Sequence, residues 1–458
     1  MTSTPTATQT PRCPRPTPSL GGDWTFPTPR VEKLDNGLEV WLFQLPGQHV
    51  VAVDLVQPIA LDAEDPRVEG VGMLALRASD EGTIQNPHGR VSQLLENVGA
   101  VYSGRTTHTV TASSLDVPAT RFSDALPLFA DIIVRPDYAE DDIERHRALR
   151  MAEIEQTLAS GAGSASMALR KVRWQEGSRN ARPAGGTPAT VTAITRADVL
   201  DFHERQWGPQ GSVLVLGGDF AEDPMPLVAS EFGEWLPAAD AHAASSEAAF
   251  AGPGDASTVH LVHRPDAVQI DLRLGGIGVD RRDPEWASLQ AASVAIGGSF
   301  LSRLNRVIRE ERGYTYGIHL ASVPQREAGT WTVNANIRTE VAAEALTATL
   351  ALLDVTTKPL TEEEITDATN QLVGLSPLRN DTAEAIVGQA STLAAAGMDA
   401  DQVNRHRAAL QQVTPDSATA AARRVLARGT GHLVVVGNAD QLTGPLETAG
   451  FAVSPLEL

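Results

Sequence analysis

The chain has 458 residues, enough for two or three domains with substantial cores, so its length excludes a mini-protein. Apolar residues make up 42% of it and charged residues 21%, which excludes a wholly disordered or fibrous protein. With 37 Lys and Arg against 57 Asp and Glu, the formal net charge is −20. Such a chain repels a phosphate backbone, and we expect no nucleic-acid partner.

The sequence also bears on the compartment. No apolar run reaches the roughly 20 residues that span a bilayer, and the N-terminus lacks the layout of a signal peptide. The single cysteine, Cys13, cannot form an internal disulfide, which agrees with a reducing compartment. We therefore expect a cytoplasmic protein without a membrane partner.

The first elements in chain order are a tail and a sheet. Residues 1–22 are mostly Thr, Pro, Ser and Gly, and we expect a disordered tail there. The Asp-Asn-Gly turn at 35–37 predicts a hairpin over Val31–Leu45, and residues 50–57 extend the sheet. Residues 237–256 are rich in small and turn-forming residues, which predicts an interdomain linker.

The two sides of this linker repeat one order of elements at an offset of roughly 220 residues. A strand, a helix and a second helix with an acidic start are predicted at 107–115, 122–133 and 136–143, and again at 329–337, 341–353 and 360–365. We therefore predict an α+β fold of two homologous α/β-sandwich halves of about 200 residues each. The predicted N-terminal half is 23–236, and the predicted C-terminal half is 257–458.

Several short motifs do not indicate a site. Neither a G-x-x-x-x-G-K-[ST] run nor a G-x-S-x-G elbow occurs. Gly161-Ala162-Gly163 is half of a dinucleotide fingerprint, but it follows a predicted helix, so we expect a flexible loop there. His260 and His263 lie three apart in a predicted strand. Their side chains then point to opposite faces, which excludes paired metal ligands.

One combination of segments is more specific. The hairpin is followed by EGVGMLALR at 69–77, LLENVGA at 94–100 and IERHRALRMAEI at 143–154. In the second half, GGSFLSRL at 297–304 runs into VIREERGYTYG at 307–317. Over about residues 25–455 the chain resembles the insulinase/pitrilysin family of zinc peptidases, in the short subfamily that includes the mitochondrial processing peptidase. The resemblance implies the processing-peptidase (LuxS-like) metallohydrolase fold, whose subunits close as a clamshell.

The resemblance implies that the zinc site has been lost. Active members carry H-x-x-E-H, with two zinc ligands and a glutamate that activates water. Here the three positions are Met73, Leu76 and Arg77, none of which can replace those groups. The family's third zinc ligand matches Glu153, which we interpret as a surface or salt-bridged residue facing Arg77. We expect no metal or other cofactor in this chain.

The second half keeps an Arg and a Tyr seven residues apart, Arg309 and Tyr316. In the family this pair reaches the zinc site of a partner, holds the substrate backbone and stabilises the oxyanion. Both side chains are hydrogen-bond donors that need no metal of their own. We expect Arg309 to end a helix that starts near Phe300, and Tyr316 to lie on the strand after Gly313. Tyr314 has the wrong spacing for this role.

The edge strand after LLENVGA departs from the family pattern. Active relatives usually carry an Asn-Ala pair there, on a strand to which extended substrate adds. This chain has Tyr102-Ser103-Gly104-Arg105 instead. The role of this strand in holding peptide is therefore open.

The resemblance implies one of two functions. In the first, the chain is the zinc-less subunit of a heterodimeric metalloendopeptidase and is inactive alone. It supplies Arg309, Tyr316 and half of a peptide chamber to a partner subunit that carries H-x-x-E-H and zinc. The substrate is then a peptide or unfolded protein, with basic peptides favoured by charge. The alternative is a catalytically inactive scaffold, like the core subunits of respiratory complexes in the same family. An active peptidase would need metal ligands that the sequence does not show.

Overall fold

The computed structural model describes residues 24–240, 250–326 and 329–458. The predicted tail at 1–22 lies outside the described residues, as do residues 241–249 of the predicted linker. Among the helices in the described part of the chain, none is long and apolar enough to cross a membrane.

The first half forms a six-stranded sheet in the order β1-β2-β6-β3-β5-β4. Its strands are β1 Arg30–Lys33, β2 Glu39–Gln44, β3 Val50–Gln57, β4 Val101–Thr106, β5 Thr111–Pro118 and β6 Val213–Gly218. Its helices are α1 Val71–Ala78, α2 Arg90–Asn97, α3 Phe122–Val134, α4 Glu140–Ala159, α5 Gly161–Arg173, α6 Pro188–Ala193, α7 Arg196–Gln206 and α8 Met225–Phe232. Strands β2 and β6 are parallel, and the other neighbours are antiparallel.

The second half forms a six-stranded sheet in the order β12-β7-β11-β8-β10-β9. Its strands are β7 Thr258–His263, β8 Gln269–Ile277, β9 Thr315–Val323, β10 Thr330–Arg338, β11 Gly431–Gly437 and β12 Ala452–Pro455. Its α-helices are α9 Trp286–Ser293, α10 Ala342–Leu353, α11 Glu362–Arg379, α12 Ala383–Ala395, α13 Gln402–Leu410, α14 Pro415–Val425 and α15 Ala439–Thr448, and two π-helical segments span Val294–Gly298 and Asn305–Glu311. Strand β7 is parallel to β11 and β12, and the other neighbours are antiparallel.

The α+β class with two similar halves is confirmed. Five strands correspond, in the orders β2-β6-β3-β5-β4 and β7-β11-β8-β10-β9. The sixth strand differs, because β1 is antiparallel to β2 whereas β12 is parallel to β7. The strand predicted from residue 107 begins at Thr111, because Thr107 N–H bonds the carbonyl of Val110 at 2.8 Å in the turn between β4 and β5.

The last part of each half contains a helix that begins with the same capping motif. Thr195 caps α7 and Thr414 caps α14, and in each case the Thr side chain accepts a hydrogen bond from the backbone N–H three residues later. The side chains of Asp198 and Ser417 bond back to the capping Thr, which completes a capping box at both places. A capped helix followed by a buried strand is therefore repeated at the end of each half.

Each half covers the sheet of the other half with one helix. Helix α5 packs on β8 and β11, and helix α12 packs in the corresponding place on β3 and β6. In the second of these contacts Val387 and Ala390 lie in one apolar cluster with Trp41 and Phe43. The two halves are therefore held together by exchanged helices as well as by the chain that joins them.

The exchange explains one wrong prediction. Gly161-Ala162-Gly163 forms the first turn of α5 and not a flexible loop. The Ser160 hydroxyl accepts a hydrogen bond from the N–H of Gly163 at 3.3 Å and so caps the helix. A Cβ atom on Gly161 would clash with the carboxylate of Asp271 on β8. Glycine is needed there because the helix start lies against the sheet of the other half.

The predicted linker is packed at its C-terminal end. The ring of Phe250 stacks on Trp174 with centroids 4.6 Å apart, and the two residues also form an isolated β-bridge. Because Trp174 follows α5, this part of the linker is anchored to the first half before the chain enters β7.

Candidate functional site

The first half closes the place where the resemblance puts a zinc site. Arg77, in the last turn of α1, donates from Nη1 to both carboxylate oxygens of Glu153 at 2.8 and 2.9 Å. Arg150 donates to the same carboxylate at 3.0 Å. Burial raises the pKa of Glu153, but the hydrogen bonds from Arg77 and Arg150 outweigh it and lower that pKa. Glu153 is therefore salt-bridged to Arg77, as interpreted from the sequence.

The other two positions are filled by apolar packing. Leu76 is 3% exposed, and a Cβ on Gly104 of β4 would lie 2.8 Å from its side chain. Met73 Sδ lies beside Gly185, within 2.6 Å of where a Cβ would stand. An apolar side chain, a thioether and a guanidinium do not fit a Zn²⁺ site. Over the described ranges, no group of three His, Cys, Asp or Glu side chains could hold a metal ion.

The two histidines of β7 make different local contacts. The His260 ring lies 6.4 Å from that of His432 on the neighbouring strand β11, and burial lowers the pKa of His260. His263 Nδ1 accepts a hydrogen bond from the backbone N–H of Ala439 at 3.1 Å. The prediction that they are not paired ligands agrees with this arrangement.

The second half places Arg309 and Tyr316 on consecutive elements. Arg309 lies in the π-helical segment Asn305–Glu311, and Tyr316 is the second residue of β9. The predicted helix start near Phe300 agrees with the structure, because the helix begins at Arg303, directly after the turn in which Ser302 N–H bonds the carbonyl of Ser299. Gly313, with φ of +62°, reverses the chain between the π-helix and the strand.

Arg309 contacts two neighbouring side chains, whereas Tyr316 is exposed to solvent. The guanidinium carbon of Arg309 lies 4.1 Å from the centroid of the Phe300 ring, and Arg309 Nε lies 3.4 Å from a carboxylate oxygen of Glu310. Tyr316 is 94% exposed. Tyr314, in contrast, donates its phenol hydrogen to Glu344 at 2.6 Å. Tyr316 is therefore the tyrosine that is available to another molecule.

Two residues that sequence reasoning missed fix this region. Asn305 accepts from the N–H of Ile318 at 3.3 Å and donates to the carbonyl of Ile318 at 2.9 Å, so its side chain occupies the edge of β9. The fully buried Arg303 donates to Glu364 at 2.7 and 2.8 Å and to the carbonyl of Lys358 at 2.9 Å. The local sequence carries no clear signal for them, because Arg303, Asn305 and Arg306 are polar alike and only the fold buries the first two.

The edge strand with the altered family motif is present as β4. The backbone of residues 101–106 pairs with β5, and in the described part of the chain it makes no other backbone hydrogen bond. The Tyr102 phenol lies 3.2 Å from the Ser79 hydroxyl of the loop after α1. The strand has therefore survived the loss of the zinc site.

Comparisons with known proteins agree with this geometry. Residues 193–372 match the family described as peptidase M16 inactive domain. An uncharacterised zinc protease of Mycobacterium tuberculosis (strain H37Rv) is 26% identical over 426 residues, which cover 89% of this chain and 93% of the relative. Subunit 1 of the mitochondrial cytochrome b-c1 complex of Rattus norvegicus is 24% identical over 325 residues, which cover 67% of this chain and 62% of that protein.

A solved structure shows the same fold. The crystal structure of a peptidase M16 inactive domain from Pseudomonas fluorescens matches with a TM-score of 0.82 at 22% identity, and the match covers 94% of this chain and 100% of that chain. Together with the replaced zinc positions, these findings describe a non-catalytic or protease-like member. The chain is similar to the insulinase (M16) family of peptidases and resembles its zinc-less subunits.

Proposed function

We propose that the chain is the zinc-less subunit of a heterodimeric metalloendopeptidase. It supplies Arg309 and Tyr316 to the zinc site of a partner subunit of the same family that carries H-x-x-E-H. The observation that supports this most is the 94% exposure of Tyr316, on the strand that follows the Arg309 segment, while the described residues hold no group of metal ligands. An exposed phenol on the strand that follows the Arg309 segment suits a site completed by another molecule.

The chemistry of the pair suits oxyanion and backbone binding. The Arg309 guanidinium presents several N–H donors in a fixed plane, and the Tyr316 phenol presents one O–H donor. The hydrogen bonds that both groups donate become stronger when a partner excludes water from around them. Phe300 restricts the rotamers of Arg309, so less entropy is lost when the guanidinium meets a substrate carbonyl.

The proposal extends to substrate and compartment. The substrate is a peptide or an unfolded protein in a chamber shared by the two subunits, and the net charge of −20 favours basic peptides. The pair works in the cytoplasm, and zinc belongs to the partner alone.

The test is to isolate the chain with its partner. A tagged chain is purified from its native cells, the co-purifying protein is identified, and each protein and the pair are assayed with a quenched peptide, with and without a chelator. We expect a stoichiometric relative with H-x-x-E-H and chelator-sensitive cleavage by the pair only. Full activity of the partner alone, or recovery of the chain without such a partner, would contradict the proposal.

The second candidate is a scaffold without a catalytic role. The rat relative is by name a subunit of the cytochrome b-c1 complex, which supports assembly as the use of such a chain. Recovery in an unrelated complex, with no peptidase activity and no effect of changing Arg309 or Tyr316, would favour this candidate.

A further inference from the structure

A pocket of about 540 Å³ lies in the second half, at the other end of strand β9 from Tyr316. Helices α9, α11, α12 and α13 surround it, together with the end of β9. Three arginines line it, Arg281, Arg379 and Arg407. The described residues of its lining include no Asp or Glu, although the chain as a whole has 57 of them. The pocket is therefore a positive site in a strongly acidic protein.

Arginines next to the pocket are paired with acids. Arg282 lies 2.6 Å from Asp280, and Arg405 lies 2.8 and 2.9 Å from Asp399 and Asp401. Arg424 of α14 lies 3.0 Å from Asp283. In the described ranges, Arg281, Arg379 and Arg407 form no ion pair. The arginines that line the pocket are therefore unpaired, whereas those next to it are paired.

Two of these unpaired guanidiniums, those of Arg407 and Arg281, are partly shielded from solvent. Arg407 Nε is buried and has no hydrogen-bond partner among the described residues. Arg281 is half-buried, and burial lowers the pKa of its guanidinium. A buried polar group without a partner is costly and rare, so it calls for a group that satisfies it.

The positive charge of the pocket affects His406, a residue of its wall. His406 stacks on Trp286 with centroids 6.0 Å apart, and its Nε2 lies 2.6 Å from the Gln290 side-chain oxygen. Burial and then the charge of Arg281 lower the pKa of His406 to about 4. His406 is therefore neutral at pH 7, and the three arginines alone supply the charge.

We propose that this pocket binds a small organic anion with two or more carboxylate or phosphate groups. Guanidinium groups match both oxyanions through paired N–H donors, and three of them offer more paired donors and more positive charge than one carboxylate uses. The amides of Gln389 and Asn380 add neutral donors to the lining. The volume is that of an ordinary small-molecule site. The proposal does not depend on the proposed peptidase role.

The probes are pyrophosphate and citrate, which separate phosphate from carboxylate recognition. Each is titrated into the full-length chain by calorimetry, at low and at physiological ionic strength. We expect saturable one-to-one binding of at least one of them that weakens as salt is added. Failure of both probes to saturate would overturn the proposal. Neither result changes what the peptidase assay of the pair would show.

Matched variants locate the site. Arg407→Gln and Arg281→Gln should each weaken binding by about tenfold or more, the loss of a hydrogen bond to a charged group. Arg379→Gln, at an exposed position on the rim, should weaken it as well and provides a variant that does not disturb packing. Arg405→Gln lies on the same helix as Arg407, but its charge is already paired, so it should leave binding within about twofold. An equal loss in Arg405→Gln would mean general charge attraction and contradict a built site.

Discussion

Strands β4 and β9 hold the same place at the edges of their sheets, but the two edges differ. At β4, Leu76 packs against Gly104, and the described residues supply no backbone partner for the outer side of the strand. At β9, the Asn305 side chain bonds both the N–H and the carbonyl of Ile318. One edge is left open and the other is capped.

The comparison separates the parts that the two halves share from the edge segments in which they differ. Five strands and the exchanged helix correspond in the two halves, and they bury the apolar core, which tolerates few changes. The segments over the two edges carry no such constraint. Beside β4, Arg77 pairs with Glu153 where the resemblance puts a zinc site, and beside β9, Asn305 supports the strand that carries the exposed Tyr316.

The largest expected effect comes from restoring the zinc motif. The triple variant Met73→His, Leu76→Glu and Arg77→His puts a carboxylate at a buried site and removes one partner of Glu153. We expect a loss of about 3 kcal/mol or more in the free energy of unfolding, measured in urea, and no chelator-sensitive cleavage. Leu76→Met is the control and should cost less than about 1.5 kcal/mol. A stable triple variant that cleaves peptide alone would show that the site is recoverable.

The next effect concerns the exposed pair in the complex with its partner. Arg309→Ala or Tyr316→Phe should lower kcat by roughly one to three orders of magnitude and leave assembly intact, because oxyanion donors act in the transition state. Tyr314→Phe is the matched control, since its phenol is engaged by Glu344. Unchanged kcat in both pair variants would remove the catalytic role and leave the scaffold.

The capped edge is tested by Asn305→Ala. The change leaves the N–H and carbonyl of Ile318 without their partner, and we expect a loss of about 1–3 kcal/mol in the free energy of unfolding. Faster amide hydrogen exchange at Ile318 should accompany it. Ser103→Ala at the open edge β4 is the comparison and should cost little. If both changes cost the same, the two edges do not differ as described.

The smallest effect concerns the ion pair that replaces the zinc site. The folded-state pKa of Glu153 is lowered, so its stabilising contribution is present above the unfolded-state pKa near 4.3 and is lost as pH falls through the lower folded value. Glu153→Gln should cost up to about 1 kcal/mol at pH 7, because the carboxylate is partly exposed. Urea unfolding of wild type and variant should converge as pH falls below about 4. The exposed Glu155→Gln on the same helix should show no such dependence.

Periodicity and turn chemistry predicted most of the fold. The hairpin at 35–37, the strand at 50–57 and the helix after Thr361 form as predicted, since these signals are local. The loop at Gly161 was predicted wrongly, because residues 161–163 form the first turn of α5. Ser160 caps this helix locally, but the close approach of Gly161 to Asp271 on β8 comes from a distant segment, and a local pattern does not contain it.

By itself, the sequence determined the duplication, the replacement of the zinc ligands and the spacing of Arg309 and Tyr316, because residue identity and order suffice for each. Only the tertiary structure decided that Arg77 pairs with Glu153 and that Asn305 caps β9. It also decided that three unpaired arginines line one pocket. These groups lie on elements far apart in the chain. Their energies depend on which charges and donors the fold brings within a few ångströms of one another.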